Sequence, residues 1–282
     1  MRCMAQQAGA IGIFDSGYGG LTILGEIRKR LPERDYIYLG DNARAPYGTR
    51  SFDIVYRFTL QAVKALFDMG CNLVILACNT ASAKALRTIQ QNDLPLIDPS
   101  RRVLGVIRPT VEALGNLSRT GHIGILGTPG TVRSESYDIE IAKMYPGFSS
   151  FAHACPMWVP LVENCEADGD GADYFIKKDI DALVSMDAHI DTVILGCTHY
   201  PLLINKIERY MPCGVNVVNQ GPIVAESLAD YLTRHPEMAQ RCTCGSTCHY
   251  LTTERADKFE AMASHFLGGA SVKAERVELK TN

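Results

Sequence analysis

Short apolar runs recur along the chain: Ile11-Gly-Ile-Phe, Tyr36-Ile-Tyr-Leu, Leu73-Val-Ile-Leu, Val103-Leu-Gly-Val, Ile123-Gly-Ile-Leu, Thr192-Val-Ile-Leu and Val215-Asn-Val-Val. They lack the apolar/polar alternation of a half-exposed strand, which is what a parallel strand covered on both faces looks like. Between them lie longer stretches with helical spacing. Residues 51–68, for example, place Ile54, Val55, Phe58, Val63, Leu66 and Phe67 roughly on one helical face. The alternation predicts an α/β fold of mostly parallel sheets flanked by helices.

Compared with itself, the chain shows one internal echo. Leu73-Val-Ile-Leu-Ala-Cys-Asn-Thr and Thr192-Val-Ile-Leu-Gly-Cys-Thr-His each give a buried strand, a small residue, a cysteine and then polar residues opening a helix. This repeat predicts two similar lobes, each presenting a cysteine at the carboxyl end of a strand, where open α/β sheets bind ligands, with a cleft between them. The best breaks are expected at an Arg108-Pro-Thr turn and an Asn219-Gln-Gly-Pro turn. They place residues 1–107 and 219–282 in a first lobe carrying Cys78, and residues 108–218 in a second carrying Cys197. After about Cys242 the expectation is a strand at Tyr250-Leu-Thr-Thr and a helix from Glu254 to about Leu267, stopped by Gly268 and Gly269.

Composition narrows the function classes. With 46% hydrophobic residues, the 282-residue chain can bury a sizeable core. A net charge of −3 with interspersed signs supplies no basic field for nucleic acid. No apolar run approaches the ~20 residues that span a bilayer, and residues 1–10 lack the apolar segment of a secretory signal. A cytoplasmic protein is expected, and its ten cysteines then read as reduced thiols rather than a disulfide framework.

Cys78 and Cys197 carry the chemical argument. Singly, each reads as a small buried hydrophobe. In matching contexts at helix N-termini, where free amides favour thiolate over thiol, they read as a pair. Two thiols without the Cys-x-x-Cys spacing of a redox site suit a reaction that removes a proton from one face of a carbon and returns one to the other. His199 and Asp15 are plausible proton-handling neighbours, and Glu163 could assist His199; a structural histidine and a surface glutamate are the plainer readings.

The Asp15-Ser-Gly-Tyr-Gly-Gly20 loop could present amides to an anion, or be only a strand-to-helix turn. Thr22 stands where a dinucleotide fingerprint needs glycine, so that reading fails. The Ala45-Pro-Tyr-Gly48 loop could offer backbone amides and the Tyr47 hydroxyl. Gly127-Thr-Pro-Gly-Thr131 is a natural seat for a carboxylate, although Thr131 could be a simple N-cap. In Cys242-Thr-Cys-Gly-Ser-Thr-Cys-His249 the spacings are not those of standard metal knuckles, so a loop with free thiols is expected and no metal.

Together, Asp15-Ser-Gly-Tyr-Gly-Gly20, Ala45-Pro-Tyr-Gly48, Ala77-Cys-Asn-Thr-Ala-Ser82, Gly127-Thr-Pro-Gly-Thr131 and Gly196-Cys-Thr-His-Tyr-Pro201 resemble the bacterial glutamate racemases in order and separation, from residue 11 to about 210. The resemblance implies a two-domain α/β isomerase that supplies D-glutamate for peptidoglycan, needs neither pyridoxal phosphate nor metal, and commonly forms homodimers. It implies that Cys78 handles the D-glutamate proton and Cys197 the L-glutamate proton. Asp15, Glu163 and His199 match the family's assisting residues. Ser16, Pro46, Tyr47, Gly48, Asn79, Thr80, Thr128, Thr131 and Thr198 match its substrate contacts, with Asp15 counted among them too. The chain departs from the family at Arg108-Pro-Thr, where Pro-Gly is common, and at Val217-Val-Asn-Gln, a strand that often closes with an acidic residue. Both departures fall near the expected hinge.

Overall fold

The computed structural model describes residues 7–280. Residues 1–6, part of the stretch read above as lacking a secretory segment, lie outside the described residues. In chain order the strands are β1 (Ile11–Asp15), β2 (Tyr36–Gly40), β3 (Leu73–Leu76), β4 (Arg102–Gly105), β5 (His122–Gly127), β6 (Ser149–Ala154), β7 (Thr192–Gly196), β8 (Asn216–Val218), β9 (Cys248–Thr252) and β10 (Ala274–Arg276). Each of the seven apolar runs forms a strand, within one residue at either end.

The strands make two sheets, ordered β10-β9-β2-β1-β3-β4 and β6-β5-β7-β8. Every pairing in both is parallel. The first four strands and the next four repeat one order: second, first, third, fourth. The direction in which strands are added therefore reverses between β1 and β3 in one sheet and between β5 and β7 in the other. These are the switch points where a crevice opens at the carboxyl ends of a parallel sheet. Asp15 and Cys78 follow one such pair, and Thr128 and Cys197 the other.

Helices cover the sheets as the pattern requires. The helix Phe52–Asp68 buries Val55, Thr59, Ala62, Val63, Leu66 and Phe67, each burial of a large apolar side chain contributing about 1.5–3 kcal/mol. Ile54 and Phe58 are only half-buried, because the buried face turns toward Thr59, whose hydroxyl donates to the Val55 carbonyl at 2.7 Å. The Phe58 ring instead carries the Arg44 guanidinium 4.0 Å from its centroid. One apolar core runs through both sheets, including Ile13, Tyr38, Leu126, Trp158, Val193 and Phe259.

Four expectations change. Arg108-Pro-Thr and Asn219-Gln-Gly-Pro are helix starts rather than turns, within Ile107–Glu112 and at the head of Gln220–Arg234. Proline is tolerated in a first helical turn because the N–H it lacks has no partner there. Asn219 caps the second of these helices by accepting from Gly221 N at 3.1 Å. The echo is also imperfect: Cys78 caps the helix Asn79–Lys84, but Cys197 leads into a turn and a 3-10 helix, Tyr200–Leu203. Tyr200 precedes Pro201, and a residue before proline avoids the α conformation. Strands β6 and β10 escaped the apolar pattern because neither contains a fully buried residue. The tail behaves as expected, with the helix Ala256–Phe266 ended by Gly268 and Gly269 at positive φ.

No helix among the described residues is long and apolar enough to cross a membrane. The nine cysteines among them are free thiols.

Candidate active site

Asp15 ends β1 and is fully buried. Its Oδ1 accepts from Gly17 N at 2.8 Å, and the Thr198 hydroxyl donates to Oδ2 at 3.4 Å. Burial raises its pKa, against the pull of His199 and of the Gly17 and Gly20 amides. The turn after it must be glycine for a steric reason. A Cβ on Gly19 would lie 2.2 Å from Thr198 Oγ1 and 2.5 Å from His199 Nδ1, so only a bare backbone lets the β1 loop meet the β7 loop this closely. Thr22 holds the contact by donating to the Thr198 carbonyl at 3.0 Å.

Cys78 accepts from Ala81 N at 3.4 Å and lies 3.4 Å from Ser16 Oγ. Its thiol is nevertheless pushed up to about 12, chiefly by burial and then by the Asp15 carboxylate. The expected thiolate-favouring helix end is real but too weak here: one long amide contact and the Ser16 hydroxyl do not offset removal from water.

Cys197 Sγ lies 3.8 Å from His199 Nδ1, and His199 Nε2 lies 2.9 Å from Glu163 Oε1. Glu163 ends the helix Trp158–Glu163, whose packing against the 3-10 helix includes Trp158 and Tyr200 with ring centroids 4.7 Å apart. Burial disfavours the imidazolium, but the contacts with Cys197 and Glu163 outweigh it and push the His199 pKa up to about 10. Phe266, from the carboxyl-terminal helix, closes the outer side of the ring edge-on at 5.3 Å.

On the remaining wall, the Thr80, Thr128 and Thr131 hydroxyls form a triangle with sides of 3.0, 3.2 and 3.1 Å. Thr128, not Thr131, is the N-cap: its Oγ1 accepts from Thr131 N at 3.3 Å. The Tyr47 hydroxyl is directed away from the role expected of it. It donates to the buried Asp41 carboxylate, which Arg44 and Thr253 also hold. The Ala45–Pro46 peptide of that loop is cis.

These groups surround one partly open cavity of about 270 Å³. Ser16, Pro46, Tyr47, Gly48, Cys78, Asn79, Thr80, Thr128, Glu163, Cys197, Thr198 and His199 all line it. Asp15 and Thr131 stand behind the wall, touching it through Thr198 and through Thr80 and Thr128. The cavity also has lining residues that sequence reasoning missed: Cys155, Pro156, Val159, Pro160 and Asn164. Cys155 follows β6, so overlooking that edge strand hid the loop after it.

The cysteine-rich tail does not converge on a metal site. Cys242 is buried and bridges to Gly9, Cys244 is exposed and bridges to Arg34, and Cys248 opens β9. Among the described residues the one group with metal-ligand proximity is His122, Asp187 and His189, at the amino ends of β5 and β7 and remote from the cavity.

Two thiols on one cavity, with His199 beside Cys197 and the Asp15 charge acting on Cys78 through space, can exchange protons with opposite faces of a small carbon acid. Comparison with known proteins places the chain in a family. A family profile described as Asp/Glu/Hydantoin racemase matches residues 22–228. A glutamate racemase of Ruegeria sp. (strain TM1040) is 42% identical over 268 residues, 92% of this chain and 96% of the relative. One from Roseobacter denitrificans is 43% identical over 270 residues, with 92% and 96% covered. The crystal structure of a Bacillus anthracis glutamate racemase isoform superposes with a TM-score of 0.87 at 33% identity, covering 96% of this chain and 98% of that one. The Francisella tularensis glutamate racemase, solved in complex with D-glutamate, gives 0.84 at 30% identity over 97% and 98%. The chain belongs to the Asp/Glu/hydantoin racemase family and, within it, groups with the glutamate racemases.

Proposed function

We propose that this amino-acid racemase interconverts L- and D-glutamate without a cofactor, using Cys78 and Cys197 as the two acid–base groups. The observation that carries the reading is the placement of both sulfurs on one cavity, each after the third strand of its own four-strand unit. From L-glutamate, the Cys197 sulfur takes the α-proton while the Cys78 thiol delivers its proton to the opposite face. From D-glutamate the roles exchange. The C–H electron pair stays on the α-carbon and forms the new C–H bond, so only a proton has crossed. His199, paired with Glu163, exchanges the proton of Cys197, and Asp15 serves Cys78.

The α-proton is far less acidic than a thiol, so the developing carbanion needs stabilisation. A dry cavity strengthens each fixed dipole, and every ~1.4 kcal/mol gained in the transition state is about tenfold in rate. Ser16, Asn79, Thr80 and Thr198 supply these dipoles, while Gly48, Pro46, Tyr47 and Thr128 complete the wall around the substrate, with Thr131 supporting Thr128. We further propose, from the family resemblance, a cytoplasmic homodimer whose two lobes comprise residues 1–107 with 219–282 and residues 108–218, and whose D-glutamate goes into peptidoglycan.

The test is proton NMR of the purified chain in D2O with each enantiomer and no cofactor, alongside chiral analysis. Loss of the α-proton signal with appearance of the opposite enantiomer is expected. Stable α-protons in folded, reduced enzyme would overturn the glutamate reading, and the same assay on aspartate would then be decisive.

A further inference from the structure

Behind Asn79, the residue next to Cys78, lies a closed ring of buried hydrogen bonds. Asn79 Nδ2 donates to Gln220 Oε1 at 2.7 Å, Gln220 Nε2 donates to the Tyr137 hydroxyl at 2.6 Å, and that hydroxyl donates to Asn79 Oδ1 at 2.7 Å. Gln220 Nε2 also donates to Thr110 Oγ1 at 2.9 Å. All four residues are at most 2% exposed, so water does not compete. The ring draws on four separate helices: Asn79–Lys84, Ile107–Glu112, Ser136–Met144 and Gln220–Arg234.

The direction of every bond in this network follows from one backbone group. A threonine hydroxyl has a single proton, and Thr110 spends it on the Val106 carbonyl at 2.7 Å. Thr110 Oγ1 therefore offers Gln220 a lone pair, and only the Nε2 end of the glutamine can face it. Oε1 must then face Asn79, which has to present Nδ2. Because Gln220 donates to the Tyr137 oxygen, the tyrosine proton is left for Asn79 Oδ1. A flipped Asn79 would set two oxygens against each other at Gln220 and strand the tyrosine proton, and leaving such buried groups unpaired costs about 1–3 kcal/mol each.

We propose that Thr110, Tyr137 and Gln220 are positioning residues that lock the Asn79 carboxamide in one orientation, leaving its second Nδ2 proton as the donor for an anionic oxygen of the substrate. The inference rests on the glutamate reading, since it takes Asn79 as a substrate contact. It assigns work to Gln220, which occupies one of the positions where the sequence departs from its family, and to Thr110, which lies outside the cavity wall.

The test uses Thr110→Val, which keeps the shape but removes the lone pair that dictates the order. The KM for glutamate should rise about tenfold, the size expected for a misdirected hydrogen bond to a charged group, with kcat within about threefold. Thr110→Ser should restore the wild-type KM. In an Asn79→Ala background, Thr110→Val should add nothing further to KM, a coupling that general loosening of the fold would not produce. Tyr137→Phe removes the donor to Asn79 Oδ1 and should raise KM in the same Asn79-dependent way, which covers the case that Thr110→Val fails to fold. A wild-type KM in Thr110→Val, or an equal rise with and without Asn79, would overturn the proposal. Absence of glutamate turnover in the wild type would remove the functional reading instead. The network is then read from the side-chain amide NMR signals of Asn79 and Gln220: exchange-protected in wild type and unprotected in Thr110→Val if it stands, equally exchanging in both if it does not.

Discussion

Burial and the Asp15 carboxylate hold Cys78 as a thiol with its pKa near 12, while Cys197 sits beside an imidazole that Glu163 supports. In the proposed mechanism the two sulfurs share one task from unlike surroundings. Cys78→Ala and Cys197→Ala should each lower racemisation in both directions by about 10²–10⁴-fold, the range for loss of a positioned acid or base, as measured by polarimetry from each enantiomer. Retention of wild-type turnover in either variant would remove that cysteine from the mechanism. His199 also makes a stability prediction. Its folded pKa stands raised from 6.5 to about 10, so folding favours the protonated ring. That contribution is fully present below pH 6.5 and is lost as pH rises toward 10. Denaturant unfolding across this window should show wild-type stability falling with pH relative to His199→Gln; parallel curves would show that the ring does not hold its proton. That Cys78, Cys197, His199 and Glu163 come together at one cavity was legible in residue types that suit proton transfer. The spent hydroxyl of Tyr47 was not, because its partner Asp41 is brought to it only by the fold.

Between elements, the tightest fits involve glycine. Gly19 lets the β1 loop meet Thr198 and His199, and a Cβ on Gly48 would lie 2.8 Å from Thr128 Cβ. Thr198 and His199 are both buried and cannot swing aside. Gly19→Ala should thus displace the pair that contacts Asp15 and Cys197, lowering kcat/KM by about 100-fold while far-UV circular dichroism stays native. An alanine variant with full activity would mean that the two loops are not held together during turnover. Strands β1, β2, β3, β5 and β7 could be read directly because parallel strands covered on both faces must be apolar throughout, and the edge strands β4 and β8 because their runs are still apolar. Strand β6, Ser149–Ala154, could not: its partly exposed residues carry no such signature, and the Cys155 loop went unseen with it. Proline misled at residues 109 and 222, where the same residue that breaks a helix interior begins a helix at no cost.

Taken whole, the molecule sorts its thiols by depth. Cys165, Cys213 and Cys244 are exposed, whereas Cys78 and Cys197 are only 6% and 7% exposed. Contacts around the cavity join the surroundings of the two sheets: the threonine triangle, Thr22 of the helix Gly20–Arg30 to Thr198, and an exposed Arg87–Glu140 ion pair between two helices outside. Glutamate and thiol reagents both have to enter this cavity to reach the two sulfurs. Iodoacetamide labelling followed by mass spectrometry should therefore show two phases. Cys165, Cys213 and Cys244 modify first with activity intact, since none touches the cavity. Cys78 or Cys197 then modify slowly, in step with inactivation, and saturating glutamate should slow this second phase alone by occupying the cavity that both sulfurs line. Inactivation during the first phase would place an essential thiol at the surface. A second phase indifferent to glutamate would separate the cavity from the substrate's binding place, because a ligand bound between the two sulfurs cannot leave their reaction with the reagent unchanged.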